Sequence, residues 1–165
     1  MVARRVVRHL ERVRVRPATP ADAGRITEFN LLLATESESI TLDPERLARG
    51  VELGLETTAR GRYWVVEEDG RIRGQCGITT EWSDWRCGWI WWLQSVYVEP
   101  AWRGRGLFSA LWNRVLEDAR AEGDVVALRL YVHRENGGAR AIYERVGMEE
   151  SPYLVYQLPL AEGPA

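Results

Sequence analysis

The stretch VYVEPAWRGRGLFSAL, residues 96–111, decides the fold of this chain. It begins with β-branched and aromatic residues typical of a buried strand and ends in the first turns of an amphipathic helix. The connection, Arg103-Gly104-Arg105-Gly106, brings free backbone N–H groups and the positive end of the helix to one point. Such a point suits a pyrophosphate, with the two arginines as charge-assisted donors. A tight strand-to-helix connection with surface arginines explains this loop equally well by itself.

The rest of the chain alternates between strand and helix patterns around this stretch. The Asp69-Gly70 pair is the strongest hairpin signal, and a second hairpin is predicted from Trp82 to Gly88. In chain order we predict a strand at 12–16, a helix capped at Thr19 and reaching about Ala34, a helix starting at Asp43-Pro44, strands at 63–68, 71–80 and 89–98, a helix from 107 to 122, a strand at 125–132, a helix at 136–146 and a last strand at 153–158. This order predicts an α/β (α+β) three-layer sandwich whose sheet is partly antiparallel and partly parallel.

Length and charge place limits on the organisation and partners of the protein. The 165 residues, 45% of them hydrophobic, predict a single domain at 12–160 between a basic extension, 1–11, and a tail, 161–165. The net charge of −2 gives no reason to bind nucleic acid or anionic lipid, although six arginines among the first 16 residues leave a nucleic-acid-binding arm as the less favoured alternative. The longest apolar run, about 87–93, is far shorter than the roughly 20 residues that span a bilayer. No secretion signal is recognised, so we expect a cytoplasmic protein without a membrane partner.

Several chemistries are excluded by residues that the sequence lacks. All 22 basic residues are arginine, which excludes a P-loop lysine and a Schiff base. Cys76 and Cys87 do not form a metal-binding or disulfide pattern, and His9 and His133 do not form a zinc motif, so we expect no metal and no covalent cysteine intermediate. A dinucleotide motif fails because Ser109 stands where the third glycine is required.

Two motifs resemble the GNAT superfamily of acyl-CoA-dependent N-acyltransferases over about residues 13–158. The signature [Q/R]-x-x-G-x-[G/A] is similar to residues 103–108, with Phe108 in place of the last small residue. The pattern N-x-x-A-x-x-x-Y-E-x-x-G matches Asn136, Ala139, Tyr143, Glu144 and Gly147. Residues 81–98 are also similar to those of a bacterial subgroup whose acceptors are mostly unassigned.

The resemblance implies a mixed sheet of about six to seven strands with about four helices, splayed between the fourth and fifth strands. It implies acetyl-CoA as the acyl donor, with the pantetheine arm pairing along residues 96–98 and the pyrophosphate on the loop 103–108. The implied coenzyme-binding residues are Val96, Tyr97, Val98, Arg103, Gly104, Arg105, Gly106, Leu107, Phe108 and Asn136. Asn136 is also well placed to cap the short helix that follows it.

The same resemblance assigns Tyr143 as the general acid that protonates the leaving thiolate. Family members that use a carboxylate on the central strand carry it near Trp92 or Gln94, and neither residue accepts a proton. We therefore rank Glu81 first as general base and Glu36 second, with Glu38 and Asp84 as further candidates and a water held by Gln94 as the alternative.

Six of the eight tryptophans lie between residues 82 and 102. Core packing explains most of them, but Trp82 and Trp85 on the second hairpin could line an acceptor pocket or a homodimer contact. With Glu36 and Glu81 predicted nearby, a cationic acceptor resting on aromatic rings is one hypothesis. Glu36, Trp85 and Gln94 are the predicted acceptor-binding residues.

The resemblance to the GNAT superfamily implies an N-acetyltransferase that moves an acetyl group from acetyl-CoA to a primary amine of a small molecule or peptide. The amine would attack directly in a ternary complex. The alternative is a catalytically idle acyl-CoA-binding sensor or interaction module, favoured by Phe108 and by the missing strand carboxylate.

Overall fold

Alternating apolar residues build a mixed sheet that three helices of the same unit cover on both faces. The structure, a computed structural model, describes residues 13–160, so the predicted extension 1–11 and tail 161–165 lie outside it. The described residues form two units, 13–131 and 132–160. The first unit contains β1 (Val13–Pro17), α1 (Ala23–Leu33), α2 (Pro44–Glu56), β2 (Arg62–Glu68), β3 (Arg71–Ser83), β4 (Gly88–Val98), α3 (Leu107–Glu122) and β5 (Val125–Leu130), and the second contains α4 (Gly137–Arg145).

The sheet follows the chain order β1-β2-β3-β4-β5. Neighbouring strands from β1 to β4 are antiparallel, and β5 is parallel to β4. A parallel neighbour requires a crossover, which α3 supplies as predicted. Asp69 and Gly70 both have positive φ in the β2–β3 turn, as a tight two-residue hairpin turn requires.

The predicted last strand is wrong within the described residues. Residues 153–158 have no regular secondary structure, and their large apolar side chains are exposed. Alternation in the sequence supplies two faces, but a strand also needs a neighbour for its backbone hydrogen bonds. The described sheet therefore has five strands instead of six to seven, and β5 ends at Leu130 instead of residue 132.

The two faces of β2 show how the layers of the first unit are held together. Val65 is fully buried against Ile26 of α1 and Val51 of α2. Its neighbour Trp64 points to the opposite face, where its indole N–H donates to Asp118 of α3 at 2.8 Å. The sheet is thus sandwiched between α1 and α2 on one side and α3 on the other, which confirms the predicted three layers.

The helix predicted after Thr19 begins with a 3-10 turn at Pro20–Asp22, because the Asp22 carboxylate accepts from the backbone N–H and hydroxyl of Thr19. α1 then runs to Leu33 and continues as a π-helical turn, Ala34–Glu38, which brings Glu36 towards the end of β4. The predicted cap of α2 is confirmed, since Asp43 accepts from two backbone N–H groups of the first turn.

Candidate functional site

The second half of β4 has an open edge on the side of β5. The parallel pairing runs from Trp89 to Leu93, whose partner is Leu130, and the described strand β5 ends there. Residues 94–98 continue the strand and pair only with β3 in the described sheet. An edge of this kind presents backbone N–H and C=O groups to a ligand. The predicted gap beside residues 94–98 is therefore present in the first unit, where it arises because β5 ends at Leu130 and not from two strands that diverge.

A local irregularity marks the point where this edge opens. Ser95 has a φ of 49°, and the β3–β4 register shifts between Gln75 and Gly77. The Gln75 side chain is fully buried, and its Nε2 donates to Asn30 Oδ1 at 2.7 Å and to the Ser95 carbonyl at 3.2 Å. Gln75 thus fixes the bulge, a role that we did not predict because a single glutamine in a strand pattern carries no specific signal.

The loop after β4 has the backbone that its glycines predict. Gly104 and Gly106 have φ values of 73° and 87°, and α3 begins at Leu107 with no side chain capping its first N–H groups. These N–H groups have no acceptor within the helix, so this end suits an anion. Leu107 is buried and anchors the first turn, whereas Phe108 is half-buried and packs near Trp112, 6.4 Å between ring centres.

The two loop arginines have different partners. Arg103 donates from Nε to the Val98 carbonyl at 2.9 Å and from Nη2 to Glu36 Oε2 at 2.6 Å. The Arg105 guanidinium lies 4.7 Å from the ring centre of Trp102, a cation–π contact. Arg103 is therefore held beside the open strand, and Arg105 lies against Trp102 next to the glycines.

Glu36 joins this group through a second contact, since the Tyr97 hydroxyl donates to its Oε1 at 2.7 Å. The hydrogen bond from Arg103, helped by that from Tyr97, holds the pKa of Glu36 below its usual value against the opposing effect of burial. Burial, together with the Glu36 charge, raises the pKa of Tyr97 to about 12. Glu36 consequently stays ionised and engaged, which makes it a poor proton acceptor. The contact joins residues 61 positions apart, and no local pattern predicts it.

A pocket of ≈ 270 Å³ lies between α1, α2 and strands β2 to β4. Gln94 and Ser95 line it where β4 opens, and Gln94 donates to Thr79 Oγ1 at 3.3 Å. Arg60 also lines the pocket, along with two glycines of α2, Gly50 and Gly54. Of the three predicted acceptor-binding residues, Gln94 lines this pocket, and Glu36 and Trp85 do not.

The β3–β4 hairpin carries a separate aromatic surface. The Trp92 indole N–H donates to Glu81 Oε2 at 2.7 Å, and Arg129 lies 3.6 Å from the other carboxylate oxygen. Trp92 also stacks on Tyr131, 4.6 Å between ring centres, and Trp85 at the hairpin turn is 91% exposed. Glu81 therefore already has two partners and lies outside the pocket.

The second unit holds the other two predicted residues on α4. Asn136 Oδ1 accepts from the Ala139 N–H at 3.0 Å, which confirms the predicted cap. Gly147, with a φ of 90°, follows the helix end, so the outer residues of the second motif define the limits of this helix. Tyr143 is half-buried in its last turn.

Residues 13–160 contain neither a metal-binding cluster nor a membrane-spanning helix. No group of three or more His, Cys, Asp and Glu side chains there could hold a metal ion. None of the helices in these residues is long and apolar enough to span a bilayer.

Comparison with known proteins identifies the family. The model of the acetyltransferase (GNAT) family matches residues 28–148. Mycothiol acetyltransferase of Beutenbergia cavernae is 33% identical over 143 residues, covering 79% of this chain and 47% of that protein. This chain spans 39–54% of the lengths of the curated relatives that it matches.

Solved structures share the fold over nearly the whole chain. A possible acetyltransferase from Clostridium difficile 630 has a TM-score of 0.85 and 36% identity, with 91% of this chain and 99% of that chain covered. A predicted acetyltransferase from Clostridium acetobutylicum, solved with acetyl-CoA, has a TM-score of 0.73 and 18% identity, with 88% and 96% covered. The open strand, the glycine loop and these matches together show that the chain belongs to the acetyltransferase (GNAT) family.

Proposed function

We propose that this protein transfers an acetyl group from acetyl-CoA to a primary amine of a small molecule or peptide. The observation that carries the proposal is the open edge of β4 at residues 94–98, followed after a short 3-10 turn, Pro100–Trp102, by the glycine loop 103–106. The amides of the extended pantetheine arm of acetyl-CoA can pair with the open strand edge, and its pyrophosphate can bind the anion site that follows.

In this proposal the pantetheine arm lies along Val96, Tyr97 and Val98 and forms backbone hydrogen bonds with the strand. The pyrophosphate lies on the N–H groups of residues 104–108, with Arg105 free to leave Trp102 and donate to it. Arg103 approaches the same anion only if it exchanges its contact with Glu36 for the phosphate. Asn136 uses Oδ1 to cap α4 and retains its amide nitrogen for the pantetheine.

The acetyl group is proposed to pass by direct attack of the amine on the thioester carbonyl. The C–N bond forms as the C–S bond breaks, and the leaving thiolate takes a proton from the Tyr143 hydroxyl. An acyl intermediate on Cys76 is disfavoured because burial raises the pKa of this thiol to about 12, so it stays protonated.

The ammonium form of the acceptor must lose a proton before it attacks. Glu36 is held ionised by its hydrogen bond from Arg103. The Glu81 carboxylate accepts a hydrogen bond from Trp92, and Glu81 lies four residues along β3 from Gly77, which lines the pocket. Four strand residues at about 3.3 Å each place Glu81 roughly 13 Å from Gly77. We favour a water held by Gln94 that relays this proton to bulk solvent, because Gln94 lies where β4 opens and lines the pocket. Glu81 remains the direct alternative, and Glu81→Gln would then lower kcat while Gln94→Ala would not.

A catalytically idle coenzyme-binding module is the second candidate. Phe108 and the absence of a carboxylate at Trp92 and Gln94 favour it, whereas Tyr143 favours the enzyme. We also propose that the β3–β4 hairpin contacts a second copy of the chain, because the Trp85 side chain is exposed and does not line the pocket. Trp85→Ala would then lower the sedimentation coefficient without changing the KM of the acceptor.

Release of the coenzyme thiol, measured with a panel of amines, tests the function. We expect turnover with at least one amine and a loss of about 10²–10⁴ in kcat for Tyr143→Phe, with coenzyme affinity unchanged. Tyr156→Phe is the control, since this exposed hydroxyl has no proposed role. Unchanged turnover in Tyr143→Phe would remove the assigned acid, and coenzyme binding without thiol release for any amine would favour the idle module.

A further inference from the structure

We propose that the pocket between α2 and the sheet binds a compact acceptor whose carboxylate is held by Arg60. This inference rests on the proposed function and names the class of acceptor: an amine that carries a carboxylate on a small apolar body. The carboxylate would contact Arg60, and the amine beside it would be directed towards Gln94 and Ser95.

The pocket is small, and two glycines of α2 keep part of it open. Its volume of ≈ 270 Å³ is near the lower limit of about 300–1,000 Å³ for small-molecule sites. Gly50 and Gly54 lie one helical turn apart on α2, and a Cβ at either position would meet no atom within 4 Å. Glycine disfavours a helix interior, so two of them on the lining face leave open space at a cost in helix stability.

The walls suit an apolar body. The apolar lining side chains of the pocket include Leu47 and Val51 of α2 and Ile78 of β3. Its polar lining side chains include Asn30, Thr79 and Gln94. Among the described residues that line it, Arg60 is the single charged side chain. A polycation would find no carboxylate on these walls, so the pocket argues against the cationic acceptor predicted from the sequence.

Arg60 is available to a ligand at low cost. Its Nη1 donates to the Leu53 carbonyl at 3.1 Å and to Glu56 Oε2 at 3.0 Å. Within residues 13–160, Nε and Nη2 have no acceptor at hydrogen-bond distance. Both members of the ion pair are more than half exposed, 53% and 57%, and such pairs contribute little to stability. A ligand carboxylate can therefore bind Nε and Nη2, or replace Glu56, with little loss.

Leucine and leucinamide form a matched pair of probes, because they share the amine and the apolar side chain and differ in the carboxylate. We expect kcat/KM with acetyl-CoA to be at least about tenfold higher for leucine, a factor typical of one charge-assisted contact. The amide has the less basic amine, so amine basicity would favour leucinamide and cannot produce this preference. Calorimetry with CoA-saturated protein measures the same preference without turnover.

Arg60→Gln should bring the leucine-to-leucinamide ratio close to one, and Arg60→Lys should keep part of it. Arg49→Gln is the control, since Arg49 lies on α2, is exposed, pairs with Glu52 and does not line the pocket. Gly54→Leu should weaken leucine binding by filling the pocket while leaving CoA affinity unchanged.

A ratio near one in the wild-type protein, or a ratio that Arg60→Gln leaves intact, would overturn this proposal. Acetylation of spermidine or a peptide without a leucine preference would overturn it while the proposed function stands. Absence of CoA binding would instead remove the proposed function, and leucine titration of the free protein against Arg60→Gln would then decide the pocket's role.

Discussion

The two halves of β4 have the same strand geometry but different environments. Residues 88–93 lie between β3 and β5, and Trp91 there is 1% exposed. Residues 94–98 keep the β3 partner, lose β5 and carry the bulge at Ser95. The closed half therefore contributes mainly to stability, and the open half leaves backbone groups for a ligand.

Two ion pairs of the first unit show a similar contrast in exposure. Arg16 bridges Asp22 and Glu67 beside β1, with side chains of Arg16 and Asp22 only 24% and 9% exposed. The Arg103–Glu36 pair beside the open half is 50% and 35% exposed. Solvent weakens the second pair, so it can exchange partners, whereas the first should stabilise the fold.

The largest effect is expected from Trp91→Ala in the closed half. Trp91 packs 6.0 Å from Trp64 between ring centres, and its truncation leaves a cavity that should cost about 3–5 kcal/mol of unfolding free energy. Urea denaturation measures this loss. Trp85→Ala removes the same side chain from an exposed position and should stay within about 0.5 kcal/mol. Equal effects of the two changes would contradict the role of the closed half of β4 in stability.

Asp22→Asn should have the next largest effect. The hydrogen bond from Arg16 lowers the pKa of Asp22 to about 2 from 3.8. Because the folded-state pKa is lowered, its stabilisation is present above pH 3.8 and lost as the pH falls through about 2. The difference of nearly two pKa units corresponds to about 2 kcal/mol. The unfolding free energies of wild type and variant should be measured at pH 6 and at pH 2. We expect the wild type to be more stable by this amount at pH 6 and the difference to be largely lost at pH 2.

Asp84→Asn supplies the comparison, since the exposed Asp84 accepts from the neighbouring Trp85 N–H. A gap for Asp22→Asn that persists unchanged at pH 2, or an equal gap for Asp84→Asn, would show that the Arg16 contact does not carry this stability.

Gly104→Ala tests the loop at the end of the open half. Its φ of 73° strains any residue with a Cβ, which should cost about 1 kcal/mol, and the change should also weaken coenzyme binding by distorting the N–H groups. Gly123→Ala is matched, with a φ of 81° at the other end of α3 and no atom within 4 Å of the added Cβ. Both variants should lose similar stability, and only Gly104→Ala should raise the coenzyme Kd. Equal Kd changes would contradict the loop's role.

Glu36→Gln should have the smallest effect. The exposed pair with Arg103 is worth less than about 1 kcal/mol, so the melting temperature should change by only a few degrees. Freed from the carboxylate, Arg103 should bind the pyrophosphate slightly better and lower the coenzyme Kd by about threefold at most. Calorimetry of both proteins checks this, and a weaker coenzyme affinity would show that Glu36 holds Arg103 in its binding position.

The sequence predicted what depends on neighbours along the chain. The Asp69-Gly70 turn, the caps at Asp43 and Asn136 and the glycine loop before α3 each follow from a few adjacent residues. The last strand failed because alternation does not say which strand is its neighbour.

The contacts within the candidate site escaped prediction for a different reason. Glu36 meets Tyr97 and Arg103 only after α1, β4 and the loop are assembled, and the pocket collects residues from five elements and the loop before β2. Arg60 and the glycines of α2 follow no recognisable sequence motif, so only the folded structure shows that they line the same pocket. The Glu81–Trp92 bond likewise depends on the β3–β4 register.

Amide hydrogen exchange of β4, with and without acetyl-CoA, tests the central claim most directly. The account predicts that amides of residues 96–98 on the open side, together with those of residues 104–108, exchange more slowly when the coenzyme is present, while residues 89–93 remain unchanged. Unchanged exchange across 96–108 with saturating coenzyme, or protection confined to residues 89–93, would contradict it.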